Sequence, residues 1–192
     1  MVVEVQPRFY TPEEYLELET EAEDKSEYRN GEIVPMAGGS TDHNDIAGNL
    51  YAHLKFALRQ QPYKVFIGDV RLWIPTWRLF TYPDVMMIAG EPVYYADRTD
   101  TVTNPQMIIE VLSKSTRNYD QGDKFDAYRT IPEFQEYVLV DQYQIYVKQF
   151  TKTAEGWLLK DYREAQQTLA FTSIDVAIAL EEIYDGVRMQ DV

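Results

Sequence analysis

The chain has 192 residues, 45% of them hydrophobic and 14% aromatic, which suits one domain with a real core and excludes wholesale disorder. Its formal net charge of −14, from 18 basic and 32 acidic residues, argues against broad, non-specific nucleic-acid binding but leaves room for a local basic cleft. With no cysteine, disulfides, zinc–thiolate sites and cysteine nucleophiles are excluded. The two histidines, His43 and His53, lie ten apart, not at the i, i+4 spacing of a helical zinc pair. Any bound metal would therefore depend on oxygen ligands, which favours Mg²⁺ or Mn²⁺. No apolar run approaches the ~20 residues of a membrane span. The N-terminal MVVEVQPRFYTPEEY carries acids and no long apolar stretch, so no leader peptide is expected and the chain reads as soluble and cytoplasmic.

In chain order, TPEEYLELE (11–19) opens a short helix, with Thr11 as N-cap, Pro12 in the first turn and Glu14 three residues after the cap. SEYRNGEIVPMA reads as a hairpin about Asn30-Gly31. From Thr41 to Leu58, apolar residues recur as Ile46, Leu50, Leu54 and Leu58, predicting a helix capped by Thr41 or Asp42. KVFIGDVRLWIP (64–75) and LFTYPDVMMIA (79–89) each read as one strand, and a polar segment leads into the strand PQMIIEVL. A helix is expected from Asp120 or Gln121. EFQEYVLVD, QIYVKQF and GWLLKDYR then form a β-meander, and the tail forms one or two short helices. The order is mixed α and β. It predicts a single α/β domain over residues 1–192, a central mixed sheet flanked by helices.

Two acids stand out against this pattern. Glu110 sits inside the apolar run MIIEVL, and Asp84 follows Pro83 at the head of another. Burying an unpaired charge costs several kcal/mol in order of magnitude. Strand alternation places Asp84, Met86 and Ile88 on one face, and Ile108, Glu110 and Leu112 on one face of the later strand. If these strands pair, the carboxylates converge, and a divalent cation would relieve their repulsion. The alternative is that one acid faces solvent, since Pro83 favours a strand end or an edge.

Pro83-Asp84 followed by Glu110 resembles the PD-(D/E)xK nuclease superfamily. More closely, SEYRNGEIV, GGSTDHNDIAGNL, YPDVMMIA, PQMIIEVLSKSTRNYDQGDKFDAYR and PEFQEYVLVD resemble, in order, the restriction-endonuclease-like Uma family. The resemblance implies a restriction-endonuclease-like core and a Mg²⁺- or Mn²⁺-dependent nuclease cutting DNA, with Asp84 and Glu110 holding metal. The chain departs from the superfamily pattern at Leu112, where a lysine usually stands two residues after the second acid. The family pattern relocates that lysine to the next helix, here Lys124, four residues after Asp120. Lys124 would orient or help deprotonate water, or neutralise transition-state charge. Its ammonium is expected to point toward Asp84 and Glu110 rather than along its own helix to Asp120. Glu27, beside the hairpin turn, matches a further acid near the catalytic centre.

Other residues are read from pattern alone. His43, at the N-terminal end of a helix, is a candidate substrate contact or a buried structural histidine. Lys114 and Arg71 are candidate phosphate contacts, though scattered basic residues are usually solvated. Tyr128 reads as packing. A homodimer fits the need to cut two strands, and the tyrosine-rich meander is a candidate interface. The competing reading is a non-catalytic interaction protein on a nuclease fold, supported by the −14 charge and the missing strand lysine.

Overall fold

The computed structural model describes residues 8–188; the first seven residues of the stretch read as lacking a leader lie outside them. Helix α1 (Pro12–Glu21) begins at a reciprocal capping box between Thr11 and Glu14. Strands β1 (Ser26–Arg29) and β2 (Glu32–Pro35) form the hairpin. Asn30 and Gly31 both adopt positive φ, at 48° and 107°, as a tight two-residue turn requires. Helix α2 (Thr41–Ala57) follows, capped by Ser40 rather than by the expected Thr41 or Asp42. The Ser40 hydroxyl accepts from the His43 amide and donates to the Gln142 side chain, tying the helix start to a distant loop.

The two long apolar runs are each broken, which corrects the expectation of one strand apiece. Residues 64–75 divide into β3 (Tyr63–Ile67) and β4 (Arg71–Ile74), and residues 79–89 into β5 (Leu79–Thr81) and β6 (Val85–Ala89). Gly68, at φ 62°, breaks the first run, and the proline-containing step Tyr82–Asp84 breaks the second. A short strand β7 (Thr101–Val102) lies within the segment read as polar loop, and β8 (Met107–Leu112) is the expected apolar strand. The next helical segment starts earlier than Asp120. It runs through α3 (Arg117–Tyr119), a π-helical turn (Asp120–Lys124) and α4 (Phe125–Tyr128). The meander is β9 (Glu136–Asp141), β10 (Val147–Lys152) and β11 (Trp157–Tyr162). The tail holds β12 (Thr168–Ala170), β13 (Ala177–Ala179) and one short helix, α5 (Leu180–Ile183), so part of it is strand rather than helix.

Because the runs break, their halves join different sheets. The larger, mixed sheet has the order β11-β10-β9-β8-β6-β3, with β8 and β9 parallel and the other neighbours antiparallel. The smaller sheet has the order β2-β1-β5-β4-β7. One apolar cluster joins Ile46, Leu50 and Leu54 of α2 to Val65, Met87, Ile109 and Val138 of the large sheet. A second joins Met86, Ile88, Ile108 and Leu112 to Ala127 and Tyr128 of α4 and to Leu72 and Ile74 of the small sheet. The alternation expected for β6 and β8 is thus present: their even-numbered apolar residues face the helical segment and the odd-numbered ones face α2. A third cluster packs Tyr15 and Leu16 of α1 on Tyr28, Trp73 and Phe80. This is a mixed α/β architecture of sheets flanked by helices. Among the described residues no helix is long and apolar enough to cross a membrane.

Candidate active site

The candidate site lies where β1 of the small sheet, the start of β6, the C-terminal half of β8 and the π-helical turn approach one another. Strands β6 and β8 are antiparallel, with Val85 opposite Ile109 and Met86 opposite Ile108. Continuing that register sets Asp84 against Glu110. Each acid takes a main-chain hydrogen bond from the other's strand: the Asp84 amide donates to Glu110 Oε2 at 3.2 Å, and the Val111 amide donates to Asp84 Oδ2 at 2.7 Å. Glu110 is 2% exposed, whereas the Asp84 side chain is half-buried.

Lys124 reaches into this pocket from the π-helical turn and is itself buried. Its ammonium lies 3.1 Å from Glu110 Oε1, 3.3 Å from Asp120 Oδ1 and 3.5 Å from Glu27 Oε1. It therefore crosses to the sheet as expected but also meets Asp120 on its own helix, which was expected to be avoided. The π-helical turn presents both residues to the same pocket, so the two contacts are compatible. Tyr128, read from sequence as packing, donates to Glu110 Oε1 at 2.7 Å. Glu27 is buried rather than exposed on its hairpin. It accepts from the Thr81 hydroxyl of β5 and from Arg29, two residues along its own strand face. The Arg29 guanidinium lies 3.7 Å over the Tyr119 ring.

The environments push the carboxyls apart. Burial, augmented by Asp84 and Asp120, outweighs the Lys124 ammonium and pushes Glu110 up to about 8. Burial likewise raises Asp120. At Asp84 burial is outweighed by His43 and the Val111 amide, and its carboxyl is held below the ordinary value. At Glu27 burial is outweighed by Lys124, Thr81 and Arg29, with the same downward result. Burial opposes the charge on Lys124, yet Glu110, Glu27 and Asp120 together hold its amine well above the ordinary lysine value. Lys124 is thus an ammonium at neutral pH: a donor and a source of field, not a base.

His43 stands in the first turn of α2 with Nε2 3.3 Å from Asp84 Oδ2, and Asp84 raises its pKa against the opposing effect of burial. Lys114 is not part of the pocket; it is exposed beyond β8, over the Tyr143 ring at 5.2 Å. Arg71 is also elsewhere. It is buried, with Nε donating to the Tyr82 hydroxyl at 2.8 Å, so its reading as a phosphate contact is corrected: the guanidinium is enclosed. Leu112 packs in the core and takes no part in the polar cluster. The meander tyrosines Tyr137 and Tyr162 are interior, which removes them from the expected interface.

Sequence reasoning passed over Asp120 as anything but a helix partner, and it passed over Thr81, Arg29 and Tyr119. Arg29 had a readable signal, being two residues from Glu27 on one strand face; Thr81 had none. Among the described residues no three His, Asp or Glu side chains form a ready-made metal cage. Asp120 Oδ1 is buried with no hydrogen bond despite its closeness to Lys124.

Comparison with known proteins places the chain in a family. The model of the Uma2 family, described as "Putative restriction endonuclease", matches residues 12–181. The protein sll1609 of Synechocystis sp. is 39% identical over 177 residues, covering 92% of this chain and all of that one. A second Synechocystis protein, slr1290, is 34% identical over 180 residues, covering 92% of each. A crystal structure from Anabaena variabilis, described as "a putative nuclease belonging to DUF820", superposes with a TM-score of 0.74 at 17% identity, covering 92% of this chain and 98% of that one. That likeness shows a shared, restriction-endonuclease-like fold. The chain belongs to the Uma2 family of restriction-endonuclease-like proteins.

Proposed function

We propose that the protein is a metal-dependent nuclease that hydrolyses phosphodiester bonds of DNA, with Asp84 and Glu110 holding Mg²⁺ or Mn²⁺. The observation that carries this reading is the buried Lys124 ammonium, shared by Glu110, Asp120 and Glu27 beside the interlocked Asp84–Glu110 pair. Glu27, Asp84, Glu110 and Asp120 draw on two permanent cations, Lys124 and Arg29, and the surplus is met by a carboxyl that burial holds protonated, a place that a further cation can take. The donor chemistry fits a hard divalent ion. Mg²⁺ takes one or two carboxylates and keeps several waters, so an all-protein cage is not required. When bound, the ion would supply Lewis-acid stabilisation of phosphoryl charge and a nucleophile at neutral pH.

The chain's own groups do the rest. Tyr128 and Lys124 fix one oxygen of Glu110, and the Asp84 amide fixes the other. His43 and the Val111 amide orient Asp84. Lys124 contributes positive potential where charge accumulates on the phosphate. Cutting both strands of a duplex calls for two such centres, so we expect a two-fold dimer, to be checked by sedimentation equilibrium. A second reading, a non-catalytic interaction protein, is favoured by the net charge of −14.

The deciding experiment measures cleavage of single- and double-stranded DNA with Mg²⁺ or Mn²⁺, together with melting temperature, in the wild type and Asp84→Asn. The nuclease reading expects cleavage and a Mg²⁺-dependent rise in melting temperature in the wild type. Both should be largely lost in Asp84→Asn. A wild type that cuts neither substrate and shows no Mg²⁺ response would overturn the reading in favour of the interaction protein.

A further inference from the structure

We infer that Arg29 is a clamp for a backbone phosphate of the substrate, held in position by Tyr119 and Glu27. The cluster contains two permanent cations, and only one can meet a ligand. The Lys124 side chain is 7% exposed and enclosed by three carboxylates, whereas the Arg29 side chain is 37% exposed. Both hydrogen bonds that Arg29 makes to Glu27, from Nε and Nη2, go to the single oxygen Oε2. Nη1 is left without a hydrogen-bond partner among the described residues. The guanidinium carbon lies 3.7 Å from the centroid of the Tyr119 ring, a contact that restrains the group before any ligand arrives. A planar donor edge, ordered from behind by a carboxylate and from one face by an aromatic ring, suits the oxygens of a phosphodiester. The acids of the site, Glu27, Asp84, Glu110 and Asp120, would otherwise repel a polyanion. Arg29 supplies the local positive charge that the overall −14 does not.

The inference rests on the nuclease reading, and its test separates the two. Binding of a labelled duplex oligonucleotide is followed over a series of salt concentrations, with Ca²⁺ replacing Mg²⁺ to hold cleavage back. Cleavage is assayed separately with Mg²⁺ and Mn²⁺. Arg29→Gln should weaken binding roughly tenfold at fixed salt and make the dependence of log affinity on log salt shallower by about 0.9, the value of one lost phosphate contact on a duplex. Arg29→Lys keeps the charge but loses the planar fork, so the slope should persist while affinity falls several-fold. Tyr119→Leu leaves the Arg29–Glu27 pair in place and should likewise weaken binding several-fold with the slope unchanged. If Arg29→Gln fails to fold, the other two variants decide the matter: unaltered affinity in both overturns the clamp. A wild type that binds, with an Arg29→Gln slope identical to it, overturns the clamp and leaves the nuclease reading standing. A shallower Arg29→Gln slope in a protein that never cleaves supports the clamp and overturns catalysis. A wild type that binds no nucleic acid overturns both.

Discussion

Glu110 and Glu136 are both buried carboxylates on neighbouring strands of the same sheet, yet their partners are of opposite kinds. Glu136 meets neutral donors on both oxygens: the Gln149 amide, the Thr172 and Ser173 main-chain N–H groups, and the Ser173 hydroxyl. It holds the segment after β12 against β9, and both its oxygens are satisfied where they sit. Glu110 instead shares its lysine with two other acids, and Asp84 lies just across the strand. Burial of an acid is therefore not what marks a site. The mark is a set of acids drawing on fewer positive charges than they need, in a pocket that shifts their proton affinities in opposite directions.

That contrast is most sharply broken at Lys124. On the nuclease reading, Lys124→Met should lower the cleavage rate by roughly 10²–10³, the loss expected for one electrostatic catalytic group. It should also cost about 3–5 kcal/mol of metal-free stability, because buried acids lose their shared partner. Added Mg²⁺ should recover part of that stability, which urea unfolding with and without the ion would reveal. Full activity in this variant would remove Lys124 from the mechanism.

A pH series sharpens the comparison next. The folded protein holds the Glu110 carboxyl up to about 8, above its unfolded value, so this group contributes stability that is fully present at acid pH and is lost as pH rises through about 8. In chelator, urea unfolding between about pH 5 and pH 8 should show stability declining by an amount on the order of a few kcal/mol on this account. Glu110→Gln should flatten that part of the profile. The smallest effect is expected on the other side of the comparison. Glu136→Gln turns an amide N–H₂ toward groups that are themselves donors and should cost about 1–3 kcal/mol. It should leave the Mg²⁺ response and the rate per folded molecule unchanged. A lost Mg²⁺ response there would erase the distinction between the two acids.

The facing of Asp84 and Glu110 was legible because strand alternation is a local rule, and each acid stands in or beside a strongly apolar run. Lys124 was legible only through the family pattern, since the superfamily position is Leu112. The shell around them was not legible. Thr81 reaches Glu27 because 79–89 crosses from one sheet to the other, and an unbroken apolar run conceals such a crossing. Glu136 also sits at the start of an apolar strand, and nothing in its spacing separates it from Glu110. What separates them is the number of donors supplied by distant segments, which depends on tertiary register. Asp120 was misjudged for a related reason: i, i+4 spacing suggests a surface pair, and only the irregular turn brings that pair to the interior.

That irregular turn has a consequence for how such a protein can change over generations. A π-helical turn accommodates an extra residue within an otherwise α-helical path, and each α-helical residue advances the face by about 100°. Gly122 sits in the middle of this one, with open space where a side chain would be. Loss of that single codon would restore regular pitch: with the apolar face of α4 still on its core, Lys124 would keep its place beside Glu110, and the residues before the turn, Asp120 and Tyr119, would swing by about 100° relative to it. A one-residue deletion is thus a short mutational path to a cluster stripped of one acid and one aromatic ring, and re-insertion is an equally short path back.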